Sequence, residues 1–199
     1  MKKITGSITA PQGFLAQGVC ADLKAKDKKD VALIYSQVPC TAAGTFTTNR
    51  VRAACVDISR QHLENGQAQA IVVNSGNANA CTGEQGWHDT LQMAQIAAEE
   101  IGIAPQDVVV ASTGVIGVFM CMDKIEKGIR QAAANLSQEG AHNAALAIMT
   151  TDLVSKEMAV EIELQGKPVR IGAIAKGSGM IHPNMATMLA FFTTDVAID

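Results

Sequence analysis

In the stretch Asn184-Met185-Ala186-Thr187, a threonine follows a small residue just ahead of an apolar run, Met188 to Phe192. Cleavage of the Ala186–Thr187 bond would give Thr187 a free α-amine. That amine can act as general base for the threonine's own hydroxyl, one way of activating a weak nucleophile. Upstream lies Lys176-Gly177-Ser178-Gly179, whose glycines admit backbone shapes closed to side chains. Between the two, Pro183 has no N–H and a fixed φ, and so interrupts any regular element. The plainer reading of the same residues is a glycine-rich loop ahead of a buried core strand, and such loops are common.

Other groups of suitable type are scattered along the chain. Thr113-Gly114 follow the run Val108-Val109-Val110. Polar groups there can be aimed at a developing oxyanion, where a donor is worth about 3 kcal/mol; a simple strand-end turn is the alternative. Lys176 could bind a carboxylate or lower the pKa of a nearby amine, against the usual fate of a lysine, which is the surface. An extended link from Lys176 to Thr187 spans up to about 36 Å, so position in the chain does not bring the ammonium to the threonine. In Thr150-Thr151-Asp152 either threonine could contact a ligand, and spacing does not separate them. Asn74-Ser75-Gly76-Asn77-Ala78-Asn79 is rich in residues that tolerate left-handed backbone and reads as a structural turn rather than a ligand loop. Cys81 has no His–Asn arrangement to make it a nucleophile and reads as a buried thiol. His182 could assist cleavage or hold position through a hydrogen bond. His62, His88 and His142 show no metal-ligand spacing, and no metal is expected.

The segment Lys176-Gly-Ser-Gly-Met-Ile-His-Pro-Asn-Met-Ala-Thr-Met-Leu-Ala-Phe191 resembles the self-cleavage segment of the ornithine acetyltransferase (glutamate N-acetyltransferase) family of arginine biosynthesis. The resemblance extends to Thr9-Ala10-Pro11-Gln12-Gly13-Phe14, Phe46-Thr47-Thr48-Asn49, Asn74 through Gly83, Ser112-Thr113-Gly114-Val115-Ile116-Gly117 and Thr150-Thr151-Asp152, and so runs almost the length of the chain. It implies a precursor that cleaves itself between Ala186 and Thr187, with residues 1–186 as an alpha chain and 187–199 as the start of a beta chain. It implies that Thr187 takes the acetyl group of N-acetylornithine as acetyl-threonine and passes it to glutamate. Thr113 and Gly114 match the family's oxyanion hole, and Thr150, Lys176 and Thr187 its substrate contacts. The implied partner is the beta chain, in an assembly of two chains of each kind. No cofactor is implied, although some members use acetyl-CoA as a donor. Two rivals stand beside this reading. One is a self-cleaving aminopeptidase, although those relatives use serine where this chain has Thr187. The other is a fragment that is catalytically incomplete without the beta chain.

Behind these residues stand elements that must position them. With 199 residues, 48% hydrophobic and 18% charged, the chain has the composition of one globular domain with a sizeable core. A net charge of −3 gives no basic footprint for nucleic acid. The mixed charges of Lys24 to Asp30 read as a solvated turn. Five scattered cysteines without CxxC spacing point to a reduced, cytoplasmic setting rather than a disulfide framework. The N-terminus lacks a signal-peptide run, and no apolar stretch has membrane-spanning length.

The pattern predicts an extended Ile4 to Phe14 with a turn at Pro11-Gln12-Gly13, a short mixed piece over Gly18 to Leu23, and strands at Val31–Tyr35 (with a turn at Pro39), Gly44–Thr48, Val51–Ile58, Ala68–Val73 and Asp107–Ala111. Helical spacing marks Glu84–Ile101, Met122–Asn135 and His142–Met149. Met158–Leu164 and Val169–Ala175 form a hairpin about Gln165-Gly166-Lys167-Pro168. This mixture predicts a layered α/β structure with mixed sheets. The resemblance adds a sheet-on-sheet sandwich flanked by helices, similar to N-terminal-nucleophile hydrolases but differently connected.

Overall fold

The computed structural model of the chain describes residues 1–179, 184–185 and 187–198. Its elements run β1 (Lys2–Ile4), β2 (Phe14–Val19), β3 (Val31–Thr41), α1 (Ala54–His62), β4 (Gln67–Asn74) and α2 (Gly83–Ile101). They continue with β5 (Val108–Ser112), α3 (Met122–Ala134), α4 (Ala141–Ala147), β6 (Lys156–Leu164), β7 (Lys167–Lys176) and β8 (Leu189–Thr194). Among the described residues the strands form two four-stranded sheets, ordered β2-β3-β4-β5 and β1-β6-β7-β8. The first sheet is mixed, because β4 and β5 run parallel through the α2 crossover; the second is antiparallel throughout.

The central strands are apolar at successive positions because both faces of their sheet are covered. Val31, Leu33, Val72 and Val110 join Met93, Ala97, Ile125 and Ile129 in the core beneath α2 and α3. Their neighbours Ala32, Ile34, Val73 and Ala111 pack instead with α4 and with Ile174, Leu189 and Phe191 of the second sheet. The layers are therefore helices, sheet, and a second sheet with α4 touching strands of both. This is the expected mixed-sheet sandwich. No helix among the described residues is long and apolar enough to cross a membrane.

Several local expectations need correction. Val51–Ile58 is not a strand but leads into α1, whose buried Cys55, Ile58 and Ser59 recur at helical spacing. The helix seals the edge of β5. Ser59 Oγ donates to the Val110 carbonyl (2.7 Å) and accepts from its amide (2.9 Å), while His62 Nδ1 meets the Val108 carbonyl at 2.7 Å. These side chains replace a missing neighbour strand, so the edge offers no template for pairing. Gly44–Thr48 forms no strand; Phe46 lies under the Arg60 guanidinium instead, 5.3 Å from its centre. β3 does not turn at Pro39 but runs on to Thr41 through a register shift between Tyr35 and Cys40, the kind of place where a strand tolerates proline. The turn expected at Pro11-Gln12-Gly13 is present, but residues 5–10 also bend and turn rather than run extended, and β2 takes in Gly18 and Val19.

Lys24 to Asp30 is not simply solvated. Asp30 is fully buried, and its carboxylate accepts the amides of Ala21 (2.7 Å), Leu23 (2.7 Å) and Lys24 (3.2 Å). Lys24 Nζ donates to the carbonyls of Lys29 (2.9 Å) and Met149 (2.6 Å), and burial pulls its pKa down to about 8. The β6–β7 hairpin stands as predicted with a tighter turn: Leu164 pairs with Lys167, and Gln165 and Gly166 both have positive φ (52° and 77°).

Candidate active site

Because β4 and β5 are parallel and end level, with Asn74 opposite Ser112, the loops after them leave the sheet side by side. Thr113 donates its amide to the Asn74 carbonyl (3.0 Å), Ala78 to that of Val115 (2.9 Å), and Gly117 to that of Ala80 (3.0 Å). Three asparagines complete the arrangement. Asn74 Oδ1 accepts the Asn77 amide (3.0 Å) and its Nδ2 donates to Ser112 Oγ (2.8 Å). Asn77 Nδ2 donates to the Val118 carbonyl (2.9 Å). Asn79 Nδ2 donates to the Gly86 carbonyl (2.7 Å) and to Thr90 Oγ1 (2.8 Å), fixing the start of α2. The asparagine-rich stretch is thus scaffolding for Thr113 and Gly114. Thr113 is buried. Gly114 has φ 135°, and a Cβ on it would fall 2.5 Å from the Gly76 carbonyl carbon and 2.7 Å from the Asn77 nitrogen, so this position requires glycine.

The second sheet brings the other half of the cluster. Gly172, Ile174 and Lys176 are alternate residues of β7 and all are buried, so Lys176 continues an inward-facing stripe. Lys176 pairs with Leu189 of β8, which brings Thr187, two residues ahead of Leu189, to the end of β7. The ammonium of Lys176 donates to the Thr187 carbonyl at 3.3 Å and to Thr113 Oγ1 at 3.4 Å. At 3% exposure it is not the solvated surface lysine that residue type alone implies. Burial lowers its pKa; the charge of Asp152 works in the other direction and Lys156 adds to the lowering.

Asp152 is the group that the sequence reading missed. Its buried side chain accepts the Gly177 amide (2.8 Å) and a contact from Lys156 (2.5 Å) on Oδ1, and the Thr150 amide (3.2 Å) on Oδ2. It thereby links Thr150 to the residue after Lys176. An aspartate two residues beyond Thr150 signals a local turn; nothing local signals Gly177. Thr150 is half-buried and Thr151 exposed.

The strand after Thr187 is β8, half-buried rather than fully buried: Leu189 and Phe191 face the core while Phe192 is 69% exposed. Asn184 and Met185 both have positive φ (54° and 69°), an uncommon conformation for residues other than glycine. Asn184 Nδ2 donates to Thr48 Oγ1, which brings the Phe46–Asn49 motif to the same loop. Ala186 and His182, expected at the cleavage site and beside it, lie outside the described residues.

The remaining candidates lie apart from this cluster. Cys81 is exposed, not buried; Cys55 is the buried thiol, and burial pushes its pKa up to about 11. His142 Nδ1 meets Glu157 at 2.5 Å on the surface. Among the described residues no three ligand-type side chains converge on a possible metal position. A surface cleft of about 350 Å³, lined in part by Gln17, Cys20, Lys29 and Gln131, shares no residue with the cluster.

The architecture has a counterpart in the l-aminopeptidase d-ala-esterase/amidase of Ochrobactrum anthropi, described as a variant of the Ntn hydrolase fold. It matches with a TM-score of 0.51 at 15% identity, over 88% of this chain and 54% of that one. At that identity the likeness is one of fold alone: the class is an α/β sandwich of two sheets with helices, similar in fold to that variant.

The model of the ArgJ family matches residues 15–199, and the chain belongs to that family. It is 59% identical to the arginine biosynthesis bifunctional protein ArgJ of Symbiobacterium thermophilum, over 100% of this chain and 50% of that protein. It is 55% identical to the protein of the same name from Synechocystis, over 98% of this chain and 48% of that protein. The chain thus spans about half the length of the curated relatives it matches. Among solved structures, ArgJ from Bacillus halodurans matches with a TM-score of 0.86 at 44% identity, covering 94% of this chain and 97% of that one. Ornithine acetyltransferase of Mycobacterium tuberculosis, complexed with ornithine, matches at 0.85 and 38%, covering 94% and 99%.

Proposed function

We propose that this chain is the nucleophile-bearing half of an acetyltransferase that moves an acetyl group from N-acetylornithine to glutamate in arginine biosynthesis. In this reading residues 1–186 are the alpha chain of a self-cleaving precursor, and 187–199 begin the beta chain that completes the site. The observation that carries the reading is the convergence of Thr113 and Thr187, one just after a strand of the first sheet and one just before a strand of the second, on the ammonium of Lys176. The names of the relatives, and ornithine bound in one of them, supply the substrate class.

The chemistry follows from the residues. After cleavage the α-amine of Thr187 takes the proton of its own hydroxyl, and Oγ1 attacks the acetyl carbonyl carbon. The oxyanion faces the Thr113 hydroxyl and the Gly114 amide, donors already fixed by the paired loops. Collapse expels the amine of ornithine, which receives the proton held by the Thr187 amine, and leaves an acetyl-threonine ester. Glutamate's amine attacks that ester and reverses the sequence, so the kinetics are ping-pong. Thr150 and Lys176 contact the substrates, with Lys176 offering its ammonium to their carboxylates. The same ammonium disfavours protonation of the Thr187 amine and keeps it a competent base. The assembly holds two chains of each kind and works in the cytoplasm.

The test uses the complete precursor. Wild-type protein is expected to appear by intact mass as two chains that meet at Ala186–Thr187, and Thr187→Ala as one. The wild type should consume N-acetylornithine only when glutamate is present. Consumption without glutamate would make it a hydrolase, and processing of Thr187→Ala would remove Thr187 from the chemistry. The same assay with acetyl-CoA in place of N-acetylornithine reads the second donor.

A further inference from the structure

Acyl transfer through Thr187 has no step for Asp152, yet its carboxylate is buried with its charge. A buried carboxylate is retained only where donors satisfy it. Here the donors come from separate places: the Thr150 amide, the Gly177 amide, and Lys156 at the start of β6. Gly177 follows the last paired residue of β7, since the ladder to β8 ends at Lys176 opposite Leu189. Its amide therefore receives from Asp152 what the sheet no longer supplies. The two backbone donors belong to Thr150 and to the neighbour of Lys176, the two residues assigned above to substrate contact.

From this geometry we infer that Asp152 is a positioning residue, whose carboxylate clasps the Thr150 and Gly177 amides together and so sets the spacing of Thr150 and Lys176 for substrate carboxylate binding. This rests on the proposed function. Hydrogen bonds to an ionised acceptor are short and strong, which suits an element that must hold a distance. The charge also stands behind Lys176 and favours its protonated form against burial. An asparagine keeps the shape of the side chain but presents an NH₂ group where one of the two amides needs an acceptor. One of the two segments is then released.

The experiment compares wild type, Asp152→Asn and Lys156→Met in the complete precursor. Asp152→Asn should raise KM for both N-acetylornithine and glutamate by roughly 5–50-fold while kcat falls less than about threefold, the pattern of lost binding rather than lost chemistry. Lys156→Met removes one donor to the buried carboxylate but leaves both amides on it, so both KM values should rise clearly less than in Asp152→Asn. If Asp152→Asn does not fold, Asp152→Glu carries the same expectation, because the charge stays and the reach changes. Unchanged KM values, or a fall in kcat alone, would overturn the inference, and so would an equal rise in KM for Lys156→Met. A wild-type precursor that transfers no acetyl group overturns the proposed function instead. Calorimetric titration with N-acetylornithine then decides the clasp: weaker binding to Asp152→Asn supports it, while equal binding or none to wild type removes it.

Discussion

The ammonium of Lys176 stands 3.4 Å from the hydroxyl of Thr113, a residue 63 positions away in the loop that leaves the other sheet after β5. Its second contact is the carbonyl of Thr187. One buried cation thus touches a candidate oxyanion donor and the candidate nucleophile's own backbone.

Replacing that cation should have two effects in the processed enzyme. Lys176→Met should raise KM for both carboxylate-bearing substrates. It should also move the acidic limb of the pH profile upward, because the Thr187 amine loses a nearby positive charge and holds its proton to higher pH. A fixed, buried lysine tunes its neighbour more strongly than a solvated one does, so both effects are expected together. Wild-type KM, kcat and pH profile in this variant would show that Lys176 has neither role.

Thr113→Ala removes a hydroxyl and should lower kcat by ~10²-fold or more without lowering the melting temperature by more than a few degrees. Thr113→Ser keeps the hydroxyl and should recover most of the loss. Equal turnover in all three proteins would exclude the side chain and leave only the Gly114 amide.

Gly114→Ala is a stability experiment before it is a kinetic one. The new methyl meets the Gly76 backbone at 2.5 Å, and φ 135° is strained for any side chain. The two loops must separate or the chain must absorb roughly 1–3 kcal/mol of strain. A clear fall in the denaturant midpoint is expected. An unchanged midpoint would mean that the loops are not in contact as described.

Asp152 gives a pH prediction. Burial opposes its ionisation, but hydrogen bonds from Lys156, Gly177 and Thr150 outweigh that and hold its pKa at about 2, below the ordinary 3.8. The carboxylate's contribution to stability is therefore complete above the ordinary value. It is lost as pH falls from there towards 2, because the unfolded chain takes up the proton first. Urea midpoints measured through that range should fall less steeply for Asp152→Asn than for wild type. Parallel curves would show that the carboxylate is not held as described.

Much of this was legible in the sequence. The helices α2 and α3 follow from apolar spacing, and the turn after β6 follows from Gln165-Gly166. α1 is hidden from apolar spacing because its inward face sets Ser59 and His62, which bond to a strand edge, beside Cys55 and Ile58. The burial of Lys176 was available in principle, since it shares the inward parity of Gly172 and Ile174 in β7. Its meeting with Thr113 was not, because that depends on how two sheets stack, and no local pattern encodes the stacking. The same holds for the link from Asp152 to Gly177.

The pairing of Lys176 with Leu189 bears on what a cut in the loop would do. Both ends of residues 177–188 are anchored in neighbouring strands, and Phe191 and Leu189 remain packed in the core beyond them. A broken bond there would leave β8 still paired along β7 as the edge strand of the second sheet. The two products would travel as one particle through any native separation and part only in denaturant. A cut just ahead of Thr187 would leave its new α-amine on the residue whose carbonyl the Lys176 ammonium already holds.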